Sequence, residues 1–239
     1  MIFMFDGKMK AVTFSYDDGV TQDIRLIELF NRYHLKATFN LNSGLLGRKG
    51  HLIREAQWVN HTIIKPEDIK SVYDGHEIAA HTLTHPNLAE CEPERIFHEV
   101  EEDRLRLSEL AGYEVVGMAY PGGSTCIDEQ VTKVVRERTG VKYARTTTST
   151  YSFDMQSDLI VFHPTVYHHR EWDALFALGE KFLALQADKP QVLYVWGHAY
   201  EFDIHDTWSR FEKFCRMISR KNDIYYGTNK EILVDAVEK

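Results

Sequence analysis

The sequence predicts an α/β fold, with a parallel sheet or barrel covered by helices, on three observations. Six or more short apolar segments alternate with amphipathic ones along the chain. A strand, helix, strand order is complete within the first 45 residues, the pattern of a parallel crossover unit. No fixed-period repeat, low-complexity tract or Pro/Gly/Ser-rich linker divides residues 1–239, so a single domain is expected.

In the opening strand, Val12, Phe14 and Tyr16 alternate with Ala11, Thr13 and Ser15. "TQDIRLIELFNRYHL" then spreads Ile24, Leu26, Ile27, Phe30 and Tyr33 over one broad helical face, and "KATFNLNSG" reads as the second strand. Leu52 to Tyr73 reads as one or two short helices, with Pro66 near the first turn of the second and Gly75 beyond its end. "HEIAAHTLTH" is a strand with its C-terminal loop. From Pro93 to Leu110 a stripe of Ile96, Val100, Leu107 and Leu110 predicts a helix, with Gly112 at the C′ position. "YEVVGMAYPGG" returns to strand and loop, and Asp128 is placed to cap "EQVTKVVRERT" before Gly140. "VKYARTTT" and "DLIVFHP" are shorter strand candidates. "REWDALFALGEKFLALQ" is helical, "QVLYVWGHAY" is a strand ending at a histidine, and "DTWSRFEKFCRMIS" is an amphipathic helix. The tail "NDIYYGTNKEILVDAVEK" allows a last strand and short helix.

The formal net charge of -8, with no Lys/Arg block against it, gives little support to a nucleic-acid surface. "MIFMFDGKMK" is only briefly apolar, and no run approaches the ~20 residues that span a bilayer, so a cytoplasmic protein without a membrane partner is expected. Cys91, Cys126 and Cys215 are odd in number and contain no C-x-x-C, which argues against a disulfide scaffold or thiolate zinc cluster. Phosphate-cradling loops, dinucleotide glycine patterns and the G-x-S-x-G elbow are absent from the sequence.

The unusual polar groups fall at predicted strand ends: Asp17 and Asp18, His81 and His85, the Tyr120–Gly123 turn, and His198. Loops that follow the strands of a parallel barrel converge on one face. Two adjacent carboxylates at the end of an apolar strand need compensation, because desolvation and mutual repulsion both disfavour the ions. An Asx turn or helix cap using Gly19 accounts for one acid; a metal ligand beside a proton acceptor accounts for both. His81 and His85 lie four apart, which lets two imidazoles meet one ion if the segment makes a helical turn. One Asp of "DDG" would complete a two-His, one-carboxylate set with room for water. His198 follows an apolar strand and is placed to protonate a leaving amine. A second group of His198, Glu201 and His205 has mixed spacing and no assured common face, and His168 and His169 are read as a polar loop.

The ordered set "TFSYDDG", "HTLTH", "AYPGG" and "VLYVWGH", spanning residues 13–198, resembles the polysaccharide deacetylase family, the NodB-like carbohydrate esterases. That resemblance implies an irregular parallel (β/α) barrel of about seven strands, a single catalytic domain over residues 1–239, and metal-dependent removal of acetyl from an N- or O-acetylated saccharide. It places the metal ligands at Asp18, His81 and His85, the catalytic base at Asp17 and the catalytic acid at His198. The ion is expected to be zinc, with cobalt or nickel as alternatives. Tyr120, Pro121 and Gly122 form the expected oxyanion and substrate loop, with a backbone N–H near Tyr120 as the donor.

The third motif departs from the family pattern. Ala119 stands where an arginine commonly steadies the catalytic aspartate, and Arg145 is the candidate replacement. The acid that orients His198 is sought among Asp154, Asp158 and Asp203. Two alternatives accompany the enzyme reading: a carbohydrate-binding protein that has lost turnover, and a hydrolase of a small non-glycan amide.

Overall fold

The computed structural model describes residues 4–236. Seven strands run in parallel as one curled sheet. Numbered in chain order and taken in spatial order they are β7 (Tyr143–Arg145), β6 (Gly117–Ala119), β5 (Glu77–Ala80), β2 (Ala37–Leu41), β1 (Lys10–Asp17), β9 (Gln191–His198) and β8 (Val166–Tyr167). The short β10 (Ile224–Tyr226) pairs with Lys10–Val12 of β1, below the Phe14–Asp17 stretch that pairs with β2. A two-stranded antiparallel hairpin, β3 (His51–Arg54) and β4 (Gln57–Asn60), stands apart from the sheet. This is the curled parallel half-barrel expected of the fold class.

β1 is an interior strand, buried along its whole length. Strands covered on both faces are apolar or hydrogen-bonded at every position, and β1 meets that condition on each face differently. Phe14 and Tyr16 point outward into a layer of aromatic rings shared with Phe30, whose ring centroid is 4.7 Å from that of Phe14, and with Phe211. Phe30 lies on α1 (Asp23–Tyr33) and Phe211 on a late helix, Trp208–Ile218, so these two helices close the outer face. On the concave face, Thr13 donates to Asn229 Oδ1 at 2.8 Å, Thr38 to Glu77 Oε2 at 2.7 Å and Tyr143 to Glu77 Oε1 at 2.7 Å. Buried polar groups are tolerated there because each is paired.

Register places the chemistry. Asp17 pairs with Asn40 on one side and with His198 on the other, and Ala119 of β6 pairs with Arg145 of β7. His81 follows the last residue of β5. Since all seven strands run the same way, these residues sit on one edge of the sheet, where open parallel sheets bind ligands.

Three expectations are corrected. Leu52 to Tyr73 does not begin as a helix: residues 51–60 form the β3–β4 hairpin, and only Pro66–Asp68 and Ile69–Val72 coil. "DLIVFHP" makes a 3-10 turn at Leu159–Val161, in which the Asp158 side chain accepts from Ile160 N; the strand follows later, at Val166–Tyr167. The Pro93–Ala111 helix is interrupted by a π turn at His98–Glu102. No helix among the described residues is long and apolar enough to cross a membrane.

Candidate active site

Asp18 sits in the left-handed region at φ 78°, a conformation aspartate tolerates better than most residues. Its Oδ1 faces His81 Nε2 at 3.7 Å and His85 Nε2 at 3.9 Å, while Oδ2 is bonded to His61 Nε2 at 3.1 Å. His81 Nδ1 lies 2.8 Å from the Ala119 carbonyl, which accepts the Nδ1 proton and leaves the Nε2 lone pair facing Asp18. One donor atom from each of Asp18, His81 and His85 lies within 4.8 Å of the others. Separations near 4 Å are too long for hydrogen bonds and suit ligands held ~2.0–2.2 Å from one ion. The donor set therefore fits a borderline divalent cation.

Electrostatics agree with that geometry. Burial would push the Asp18 carboxyl up, but the His61 hydrogen bond and the His198, His81 and His85 charges outweigh it and hold the group well below the carboxylate range. Burial pulls His81 down to about 4, against the opposing pull of Asp17, so its imidazole is neutral near pH 7, the form a ligand requires.

The helical turn expected between the two histidines is not what brings them together. Their rings stand 4.9 Å apart because Thr82 and His85 both take left-handed backbone angles, φ 69° and 59°. Non-glycine residues there cost ~1–3 kcal/mol each unless neighbours enforce them. The enforcement comes from the π turn. Glu99 accepts from Thr84 N and Thr84 Oγ1 at 2.8 and 2.7 Å, and Asp103 accepts from His81 N at 3.0 Å and Ser43 N at 2.6 Å. Burial raises the Asp103 carboxyl to about 7 despite those donors.

Across the cleft, Asp17 is 2% exposed and held by Asn40 Nδ2 at 2.8 Å and by Arg145 Nη2 at 2.7 and 2.5 Å. Arg145 is wholly buried, with its guanidinium 4.5 Å from the Trp196 ring centre and a second nitrogen donating to the Thr146 carbonyl. It reaches Asp17 from the strand next to Ala119, at the same level of the sheet. His198 Nε2 stands 4.0 Å from Asp17 Oδ2, and its Nδ1 lies 3.1 Å from Glu201 Oε1. Burial disfavours the His198 cation, yet Glu201, with Asp18 and Asp17 behind it, raises the imidazole to about 9. Glu201 in turn falls to about 2, because His198 outweighs its own burial.

Glu201 is the orienting acid that the sequence reading missed. Asp154 instead pairs with Lys189 and Gln191, Asp158 with Arg136, and Asp203 accepts from Gln22 and Trp208. Glu201 opens a short helix, Glu201–Ile204, and from there accepts from His198 N at 3.0 Å and from the Tyr167 hydroxyl. His205 belongs to neither His198 nor Glu201; it contacts Glu55 at 2.7 Å. His168 and His169 are buried, not in a polar loop: His168 stacks on Phe202 at 4.4 Å and turns Nε2 toward Glu201 Oε2 at 3.7 Å. Gly197 permits this approach, since a Cβ there would stand 1.9 Å from His168 Nδ1.

Asp17, Asp18, His61, His81, His85 and His198 line one cleft of about 380 Å³. Gly122 and Gly123 form its rim. Tyr120 does not: its N–H donates to the Arg145 carbonyl at 3.0 Å and its hydroxyl to the Ile160 carbonyl at 3.0 Å, so neither is free to face a substrate.

The family model for polysaccharide deacetylases matches residues 6–144. A chitooligosaccharide deacetylase of Bradyrhizobium sp. (strain ANU 289) is 30% identical over 95 residues, 38% of this chain and 36% of that protein. The alignment thus spans about a third of that relative's length. Among solved structures, a probable polysaccharide deacetylase from Pseudomonas aeruginosa PAO1 superposes with a TM-score of 0.69 at 16% identity, over 93% of this chain and 88% of that one. Puue allantoinase superposes with a TM-score of 0.68 at 13% identity, again over 93% and 88%. Identities this low speak for the fold.

Proposed function

Because the chain belongs to the polysaccharide deacetylase family, we infer that its cleft hydrolyses the acetyl amide of an N-acetylated saccharide with the help of one divalent ion. The observation that carries this reading is the meeting of a two-His, one-carboxylate donor set with a separately supported acid and base around a single cleft. Asp18, His81 and His85 would hold the ion, with zinc favoured and cobalt or nickel accommodated by the same donors. A bound ion of this kind polarises an acyl oxygen and makes water a better nucleophile at neutral pH.

The remaining work falls to side chains of this chain. Asp17 accepts the proton of the water that adds to the acetyl carbon, forming the new C–O bond. Arg145 and Asn40 fix the Asp17 carboxylate, so the base cannot rotate away from the cleft. His198, kept protonated by Glu201, gives its proton to the sugar nitrogen as the C–N bond breaks, leaving acetate and a free amine. An O-acetyl substrate would use the same steps and release a hydroxyl. The binding-only alternative drew on Ala119, and Arg145 supplies the missing cation from the neighbouring strand.

Incubating the zinc-loaded protein with acetylated glycans and small amides tests the reading. Acetate should appear together with a sugar amine, stop on chelation and resume when zinc is restored. Tight binding of the saccharide without acetate would reject it in favour of the binding protein, and turnover confined to non-glycan amides would reject the substrate class.

A further inference from the structure

Arg54 is the charge in the cleft that the chemical steps do not use. It ends β3, is solvent-exposed and lines the cleft beside Leu52, His61 and Tyr200. No carboxylate lies within ion-pair distance of it among the described residues. Its neighbour Glu55 is committed elsewhere, to His169 at 3.1 Å, Arg170 at 3.5 Å and His205 at 2.7 Å. Those contacts pin the hairpin tip, where Glu55 and Ala56 both take positive φ, 50° and 61°, and with it the strand end that carries Arg54.

The carboxylates that face the cleft already have partners: Asp17 has Arg145, Asp18 has His61 at 3.1 Å, and Glu201, behind His198, has that imidazole. Arg54 is left without a counter-charge among the described residues. A guanidinium presents a rigid fork of donors matched to phosphate and carboxylate. Its place in the cleft also says which part of a ligand it meets. The Tyr200 ring stands 5.1 Å from His198, the proton donor to the leaving nitrogen, and 5.3 Å from His61. A cleft of about 380 Å³ is near the small end of the ~300–1,000 Å³ usual for small-molecule sites.

The geometry points to a small acidic acetamido sugar as substrate, whose phosphate or carboxylate, carried on the leaving amine portion, is bound by Arg54. This rests on the deacetylase reading of the same cleft, and its test is arranged so that the two fail separately. Binding of glucosamine, glucosamine 6-phosphate and muramic acid to the zinc-loaded protein is measured by calorimetry, and acetate release from the three corresponding N-acetyl sugars is measured in parallel. The acidic sugars should bind about 10- to 100-fold more tightly than glucosamine, the range of a hydrogen-bonded charge pair. The phosphate and carboxylate arms show which anion the fork prefers.

In Arg54→Gln the ratio of acidic to neutral affinity should collapse toward one. Arg54→Lys, which keeps the charge and loses the fork, should recover part of it. Equal affinity for all three sugars, no binding of any, or a preference that survives Arg54→Gln would overturn the inference, even if N-acetylglucosamine is deacetylated. An Arg54-dependent preference with no acetate from any substrate would keep Arg54 as the anion contact but reject both the acidic sugar as substrate and the deacetylase reading.

Discussion

On the β7–β1–β9 side of the cleft each charge has its counter-charge in the chain, Asp17 with Arg145 and His198 with Glu201, at 2.5–3.1 Å. On the β2–β5 side Asp18 Oδ1 looks across 3.7 and 3.9 Å at two imidazole nitrogens, distances that are neither contacts nor solvent gaps. One side is electrostatically complete as folded; the other has the spacing that the proposed ion would use. Removing a group from the first side should therefore disturb stability and proton transfer, and removing one from the second should disturb ion binding.

The largest effect expected is that of Arg145→Met. It leaves the Asp17 carboxylate buried without its cation, a change that typically costs ~3–5 kcal/mol, read as a lower urea midpoint at unchanged slope. Asp17→Asn and Arg145→Met combined should then lose less stability than the two singles added together; full additivity would mean the pair is not coupled.

Next, Asp17→Asn should cut turnover ~10²- to 10⁴-fold while zinc stoichiometry by elemental analysis stays the same. Loss of zinc in this variant would erase the distinction between the two sides. The converse variant, His85→Ala, should weaken zinc binding at least about tenfold, in keeping with direct ligation, and lower activity in step. His85 is half-exposed at the cleft edge, so the fold should tolerate the change.

The smallest effect sharpens the comparison through pH. His198 is raised to about 9 from 6.5, so its contribution to stability is complete below about 6.5 and is lost as pH climbs through 9. Glu201 is lowered to about 2 from 4.5, so its share is present above about 4.5 and is lost as pH falls through 2. Glu201→Gln should bring the His198 titration, followed by NMR of the ring carbons, down toward 6.5 and flatten the stability profile between 6.5 and 9. An unmoved His198 titration would assign its high value to Asp17 and Asp18 instead.

Much of the cleft was legible in the sequence because it sits at strand ends, and a strand end is a local pattern: an apolar run followed by "DDG", "HTLTH" or "GH". What escaped depends on longer-range facts. The hairpin that carries Arg54 and leads to His61 was read as helix because Glu55 and Ala56 occupy the two positions where Asn-Gly would announce a turn. Glu201 falls between His198 and His205 in the sequence, and nothing in the spacing says that the chain turns into a helix immediately after Tyr200. Asp103 and Glu99 looked like ordinary polar positions of an amphipathic helix; a π turn, which shifts the helical phase, aims both at the His81–His85 loop. Arg145 could be named as a candidate, but its reach to Asp17 depends on sheet register, which "KYARTT" does not reveal.

The pairing of Ala119 with Arg145 has a consequence for how such sites are encoded. In a parallel sheet, register partners lie ≈ 4.8 Å apart and project to the same face, so a side chain can be delivered to one point in space from either of two columns at the same height. The unit that matters here is a rung of the sheet, not a position along a strand. A sequence pattern demanding an arginine within the "AYPGG" segment would discard this chain, although its carboxylate is as firmly held as that pattern intends. Moving the cation back across the rung, with Ala119→Arg and Arg145→Ala in one chain, asks whether the two addresses are equivalent. Trp196, which now stacks on the Arg145 guanidinium, is the neighbour that would have to accept the exchange.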